Sequence, residues 1–92
     1  MKSLTEFIYE SSDRDIIKAL PFEIVSLYNN TEYKITEIEK MTNDSRQIRL
    51  IPENYPEIKL IAYINDIVKL VNGRADDVNV TEDGFDRQFR LK

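Results

Sequence analysis

Between Pro56 and Asn72 runs the longest regularly apolar window of the chain, and whatever fold forms must find a place to bury it. At 100° per residue, Leu60, Tyr63, Ile64, Ile67, Val68, Leu70 and Val71 fall on one broad face, with Lys59, Asn65, Asp66, Lys69 and Asn72 on the other. Pro56 suits a first helical turn, Glu57 complements the positive end of the helix dipole, and Asn72-Gly73 supplies a stop. The spacing therefore predicts one long helix over residues 56–72. Burying its seven apolar side chains is worth a gross 10–20 kcal/mol, roughly, as an upper bound. On that helix Ile61 and Leu70 flank the apolar face, where a second copy in a homodimer would meet them.

The remaining elements are arranged around this window. After Pro21 the pattern changes to period two, with Phe22, Ile24, Ser26 and Tyr28 alternating with Glu23, Val25 and Leu27 as in a central strand. Asn29-Asn30-Thr31 is a turn, because asparagine tolerates left-handed backbone and bonds locally. Tyr33 and Ile35 continue a strand while Ile38 and Met41 fall out of phase, which predicts a bulge near Thr36-Glu37 in preference to a helix over 31–41. Thr42-Asn43-Asp44-Ser45 turns the chain into a strand over 46–51, with Ile48 and Leu50 set on opposite faces. Asp83-Gly84 is the strongest hairpin signal, since a type I′ turn needs positive φ at both centres. It pairs Glu82 with Phe85, Val80 with Arg87, Val78 with Phe89 and Asp77 with Arg90. One face of that hairpin carries Val78, Val80, Phe85, Phe89 and the stem of Arg87. The fold class expected is α+β: a short N-terminal helix, a three-stranded antiparallel sheet, one long helix packed across it, and a C-terminal β-hairpin.

Ninety-two residues make one domain with a modest core. A net charge of −4 argues against direct nucleic-acid or anionic-membrane binding, which call for a basic excess. No run approaches the eighteen apolar residues of a membrane span. The chain has no cysteine and no histidine, so thiolate chemistry, Cys/His zinc sites and histidine-based triads are excluded. The carboxylates Asp76, Asp77, Glu82, Asp83 and Asp86 do not follow a calcium-loop spacing, and Gly73 and Gly84 both have turn duties, so no phosphate cradle remains. The reading is a non-enzymatic protein that needs no cofactor or metal. Arg46, Arg49, Arg87 and Arg90 would form a basic strip if their strands were neighbours.

The N-terminus differs from the rest. Leu4, Phe7 and Ile8 stand at i, i+3 and i+4, one apolar patch if helical, ahead of the polar break Ser11-Ser12-Asp13-Arg14-Asp15. Ser12 is placed to cap a second short helix running through Leu20, with Pro21 ending it. Met1, Lys2, Glu6, Phe7, Ile8 and Glu10 spell Met-Lys-x-x-x-Glu-Phe-Ile-x-Glu. That string resembles the capsid-targeting sequence of the internal head proteins of T-even-type phages. The resemblance covers residues 1–10 and implies a leader that directs the chain into the prohead core. It also implies that the prohead protease removes the leader after a Leu/Ile-x-Glu tripeptide. Here that tripeptide is Ile8-Tyr9-Glu10, with the cut before Ser11, leaving residues 11–92 as a single domain. Leu4-Thr5-Glu6, Ile35-Thr36-Glu37 and Ile51-Pro52-Glu53 match the bare tripeptide as well.

Members of that group are packaged in the capsid interior and ejected with the DNA into the host cytoplasm, and they include inhibitors of host restriction nucleases. The resemblance thus implies the prohead core, the prohead protease and a host defence protein as partners. Charge suggests Glu37, Glu39, Asp76, Asp77, Glu82, Asp83 and Asp86 as the contact with a basic groove on that target. Two further readings stay open at this point: a structural prohead core component, and an intracellular phage-encoded inhibitor or binding module with no capsid role.

Overall fold

The computed structural model describes residues 14–92, so the leader positions Met1, Lys2, Glu6, Phe7, Ile8 and Glu10 and the cut before Ser11 lie outside the described residues, as does the capping position Ser12. A short helix, α1, covers residues 14–19. Six strands follow: β1 (Phe22–Ser26), β2 (Glu32–Lys40), β3 (Gln47–Pro52), β4 (Leu60–Tyr63), β5 (Val78–Glu82) and β6 (Phe85–Leu91), with helix α2 (Ile64–Val71) between β4 and β5. Each strand pairs antiparallel with the next, and β6 returns to β1, closing a six-stranded barrel.

This corrects the expected three-stranded sheet crossed by one long helix. The window 56–72 is split: Leu60–Tyr63 is a strand and only Ile64–Val71 is helical. Leu60 and Ala62 point inward while Ile61 and Tyr63 point out, a period of two that the helical periodicity masked. Pairing decides the conflict, because β4 bonds β3 through Arg49↔Ile61 and Leu50↔Leu60 and bonds β5 through Leu60↔Glu82. Beyond Tyr63 the helical period takes over and buries Ile64, Ile67 and Leu70. Leu70 is only 1% exposed, so it is packed inside the domain and does not reach toward a second chain. The helix ends as Asn72-Gly73 predicts: Gly73 has φ 73°, its N–H donates to the Leu70 carbonyl, and the Arg74 N–H donates to the Lys69 carbonyl.

The core is the barrel interior. Phe22, Ile24, Tyr33, Ile35, Ile48, Leu50, Leu60, Ala62, Val78, Val80 and Phe89 line it, and Ile16 of α1 and Ile64, Ile67 and Leu70 of α2 complete it. Ile48 and Leu50 share the inner face, as two residues apart must; the expected opposite faces are wrong. The bulge in β2 is present, with the register shifting between Ile35 and Glu37. The C-terminal hairpin has the expected register from Glu82↔Phe85 to Val78↔Phe89, one step short of Asp77. Arg90 lies opposite Val25 of β1.

The register gives the barrel two unlike ends. At one end lie the three loops β1–β2, β3–β4 and β5–β6, called here the turn end. At the other lie the β2–β3 loop, both helices, and the points where the chain enters β1 and leaves β6.

Candidate functional site

Six large apolar side chains are notably exposed among the described residues, and four of them, Leu27, Tyr28, Tyr55 and Phe85, belong to the turn end. Local structure explains why they stand out. Ser26 is buried, its hydroxyl accepts the Tyr28 N–H at 3.2 Å, and its carbonyl accepts the Asn30 N–H at 2.8 Å. Asn29 Oδ1 accepts the Thr31 N–H and Asn30 takes φ 62°, so the turn is set by asparagine chemistry and lifts Tyr28 out of the barrel wall. Phe85 follows a turn in which Asp83 has φ 48° and Gly84 φ 91°, the two positive values that a type I′ turn needs. Tyr55 sits on a loop tied to β2: Asn54 accepts the Lys34 N–H and donates to the Glu32 carbonyl, and the Glu53 N–H donates to the Lys34 carbonyl.

These loops are joined by one chain of contacts. The Arg87 guanidinium lies 3.7 Å from the centre of the Tyr28 ring and 5.4 Å from that of Phe85. Its Nε is 3.9 Å from a Glu82 carboxylate oxygen, and the other oxygen accepts the Tyr33 hydroxyl. Tyr33 meets Tyr55 edge to face at 5.3 Å and Phe89 at 6.0 Å. Tyr33, Glu82 and Arg87 all carry the inward parity of their strands, so they form a polar layer that closes the barrel over Val80 and Phe89. Burial raises the Tyr33 hydroxyl above its ordinary pKa, and its bond to Glu82 and the charge of that carboxylate raise it further. The Arg87 Nε is buried without a hydrogen-bond partner. Asp83 fastens the β5–β6 tip to the β3–β4 loop, accepting the Lys59 N–H on Oδ1 and donating its own N–H to the Lys59 carbonyl, both at 2.9 Å.

The acidic residues singled out by charge are divided by this geometry. Glu82, Asp83 and Asp86 are at the turn end, with Asp86 accepting the Thr81 hydroxyl at 3.1 Å. Asp76 and Asp77 precede β5 at the opposite end, and Glu37 and Glu39 lie on the outer side of β2 beyond its bulge. The arginines do not make a strip either. Arg49 is on β3 and Arg87 and Arg90 on β6, strands that are not neighbours, while Arg46 pairs with Asp44 in the β2–β3 loop at 3.2 Å.

A shallow groove of about 480 Å³ opens at the helix end, lined by Ser45, Arg46, Tyr63, Ile64, Asn65, Asp66 and Lys69. Among the described residues no group of three or more acidic side chains is placed to hold a metal ion, and no helix is long and apolar enough to cross a membrane.

Sequence reasoning had Phe85 and the Arg87 stem on one hairpin face and Glu82 as the cross-strand partner of Phe85, but missed Tyr28, Tyr33 and Tyr55. The available signal was an aromatic residue directly before an Asn-Asn turn, which has little reason to be there for packing. Comparison of this chain with protein-family models, with curated proteins and with solved structures finds no match.

Proposed function

We propose that this chain is a phage internal head protein: packaged in the prohead, trimmed after Glu10, ejected with the DNA, and active in the host by binding a defence enzyme of the restriction-nuclease class. The target class rests on the resemblance of Met1, Lys2, Glu6, Phe7, Ile8 and Glu10 to a capsid-targeting leader. One structural observation supports a removable leader. The barrel closes through β1–β6 pairing with residues 22–91 alone, so a cut before Ser11 takes away none of its strands. An inhibitor that works by covering a surface needs a stable scaffold with exposed side chains, and the turn end supplies these in Tyr28, Tyr55 and Phe85.

The test is intact mass spectrometry of the protein recovered from purified particles, paired with plating of a deletion phage on hosts with and without restriction systems. A chain beginning at Ser11 and a plating defect confined to restricting hosts are expected. Absence from the particle, or an uncut chain, overturns the capsid-cargo reading; a deletion without a plating defect overturns the inhibitory role.

A further inference from the structure

We infer that the turn end of the barrel is the recognition surface, with Tyr28, Tyr55 and Phe85 as anchors, and that it fits a basic face on the target protein; this rests on the function proposed above. Three observations converge on it. First, the exposed aromatics are gathered: Tyr28 is 67% exposed, Phe85 64% and Tyr55 42%, two on separate loops and Phe85 at the start of β6, all brought to one end. An exposed apolar cluster costs solubility, and tyrosine and arginine are the residue types that dominate binding energy at protein interfaces.

Second, the anchors are held before any partner arrives. Tyr28 is stacked on Arg87, Arg87 is beside Glu82, Glu82 is bonded to Tyr33, and Tyr33 packs on Tyr55. Side chains fixed in this way lose less freedom on binding than mobile ones.

Third, the rim carries an acidic excess. In the β3–β4 loop and around the β5–β6 turn, Glu57, Asp83 and Asp86 are exposed carboxylates without a cation pairing them among the described residues. Among the described residues the cations beside them are the exposed Lys59 and the half-buried Arg87, whose charge faces Glu82. Glu53 and Glu32 of the same end are matched by Lys34 and Lys92. A carboxylate rim around aromatic anchors complements a basic protein surface and repels both nucleic-acid phosphates and a second copy of the same end. Asp76, Asp77, Glu37 and Glu39 fall outside this surface.

The experiment uses the full chain and a panel of purified restriction nucleases, reading inhibition of DNA cleavage and the dissociation constant for each. Three variants are compared with the unaltered protein: Tyr28→Ala with Phe85→Ala, Asp86→Lys, and Asp76→Asn with Asp77→Asn. The first pair is exposed, and circular dichroism checks that its fold is kept. The aromatic pair is expected to weaken binding at least ~30-fold. Asp86→Lys is expected to slow association at low salt and reduce its salt dependence, with the Asp76/Asp77 variant unchanged. A nuclease inhibited equally by the protein and by the folded aromatic variant overturns the surface while leaving the function standing. If the chain inhibits no nuclease in the panel, the function proposed above fails and this surface loses its partner. A dimer in sedimentation that Tyr28→Ala dissolves overturns the proposal in favour of a second copy of the chain.

Discussion

The Tyr33 hydroxyl donates into the mouth of the barrel, where Arg87 is the further partner of the Glu82 carboxylate among the described residues. Replacing Tyr33 with Phe leaves that carboxylate short of a donor in a half-buried place, so Tyr33→Phe should cost about 1–3 kcal/mol near neutral pH. The pH dependence has a definite sign. Folding keeps the phenol protonated above its ordinary value of 10.0, whereas the unfolded chain releases that proton. The stability Tyr33 contributes is therefore complete below that pH and falls as pH rises through and beyond it. Urea unfolding of both proteins at about pH 8 and about pH 11 should show the gap between them narrowing at the higher pH; an unchanged gap would mean that the hydroxyl is not held as described.

Secondary-structure elements carry their own tests. Ile67 is fully buried on α2 and packs with Ile64 and Leu70 into the end of the barrel, so Ile67→Ala should cost about 2–5 kcal/mol by chemical denaturation. Gly84 has open space around the position of a Cβ but sits at φ 91°, so Gly84→Ala should cost about 1–2 kcal/mol from backbone conformation alone. The β5–β6 hairpin was legible from Glu82–Phe85 to Val78–Phe89, though not the expected Asp77–Arg90 pair, because its turn type fixes the register, and the bulge in β2 was legible because Ile38 breaks phase with Tyr33 and Ile35. The window 56–72 was not. Leu60, Ile64 and Ile67 obey the helical period while Leu60 and Ala62 obey the strand period, and only β3 and β5, distant in sequence, choose between them. Closure of the barrel was illegible for the same reason, since it depends on Ser26 meeting Phe89. The proposed recognition surface was half visible: Phe85 and Arg87 on one hairpin face, with Glu82 paired to Phe85, follow from the hairpin, whereas Tyr28 and Tyr55 join them only through loops that the fold brings together.

At the scale of the molecule, the six strands form a ring that any missing member opens. Deleting residues 85–92 removes β6 and exposes one edge each of β1 and β5, and such a chain should lose its cooperative unfolding transition in calorimetry. Removing residues 1–10 should shift the melting temperature by no more than about 4 °C, equivalent to under 1 kcal/mol. A collapse of the transition would place essential packing in residues 1–10. The ring also gives the molecule two poles with separate duties. The chain enters β1 and leaves β6 beside the helices, while the aromatic anchors stand at the far end. A protein tethered through whatever precedes Phe22 is thus held by one pole and reads with the other, so attachment and recognition need not compete for the same surface.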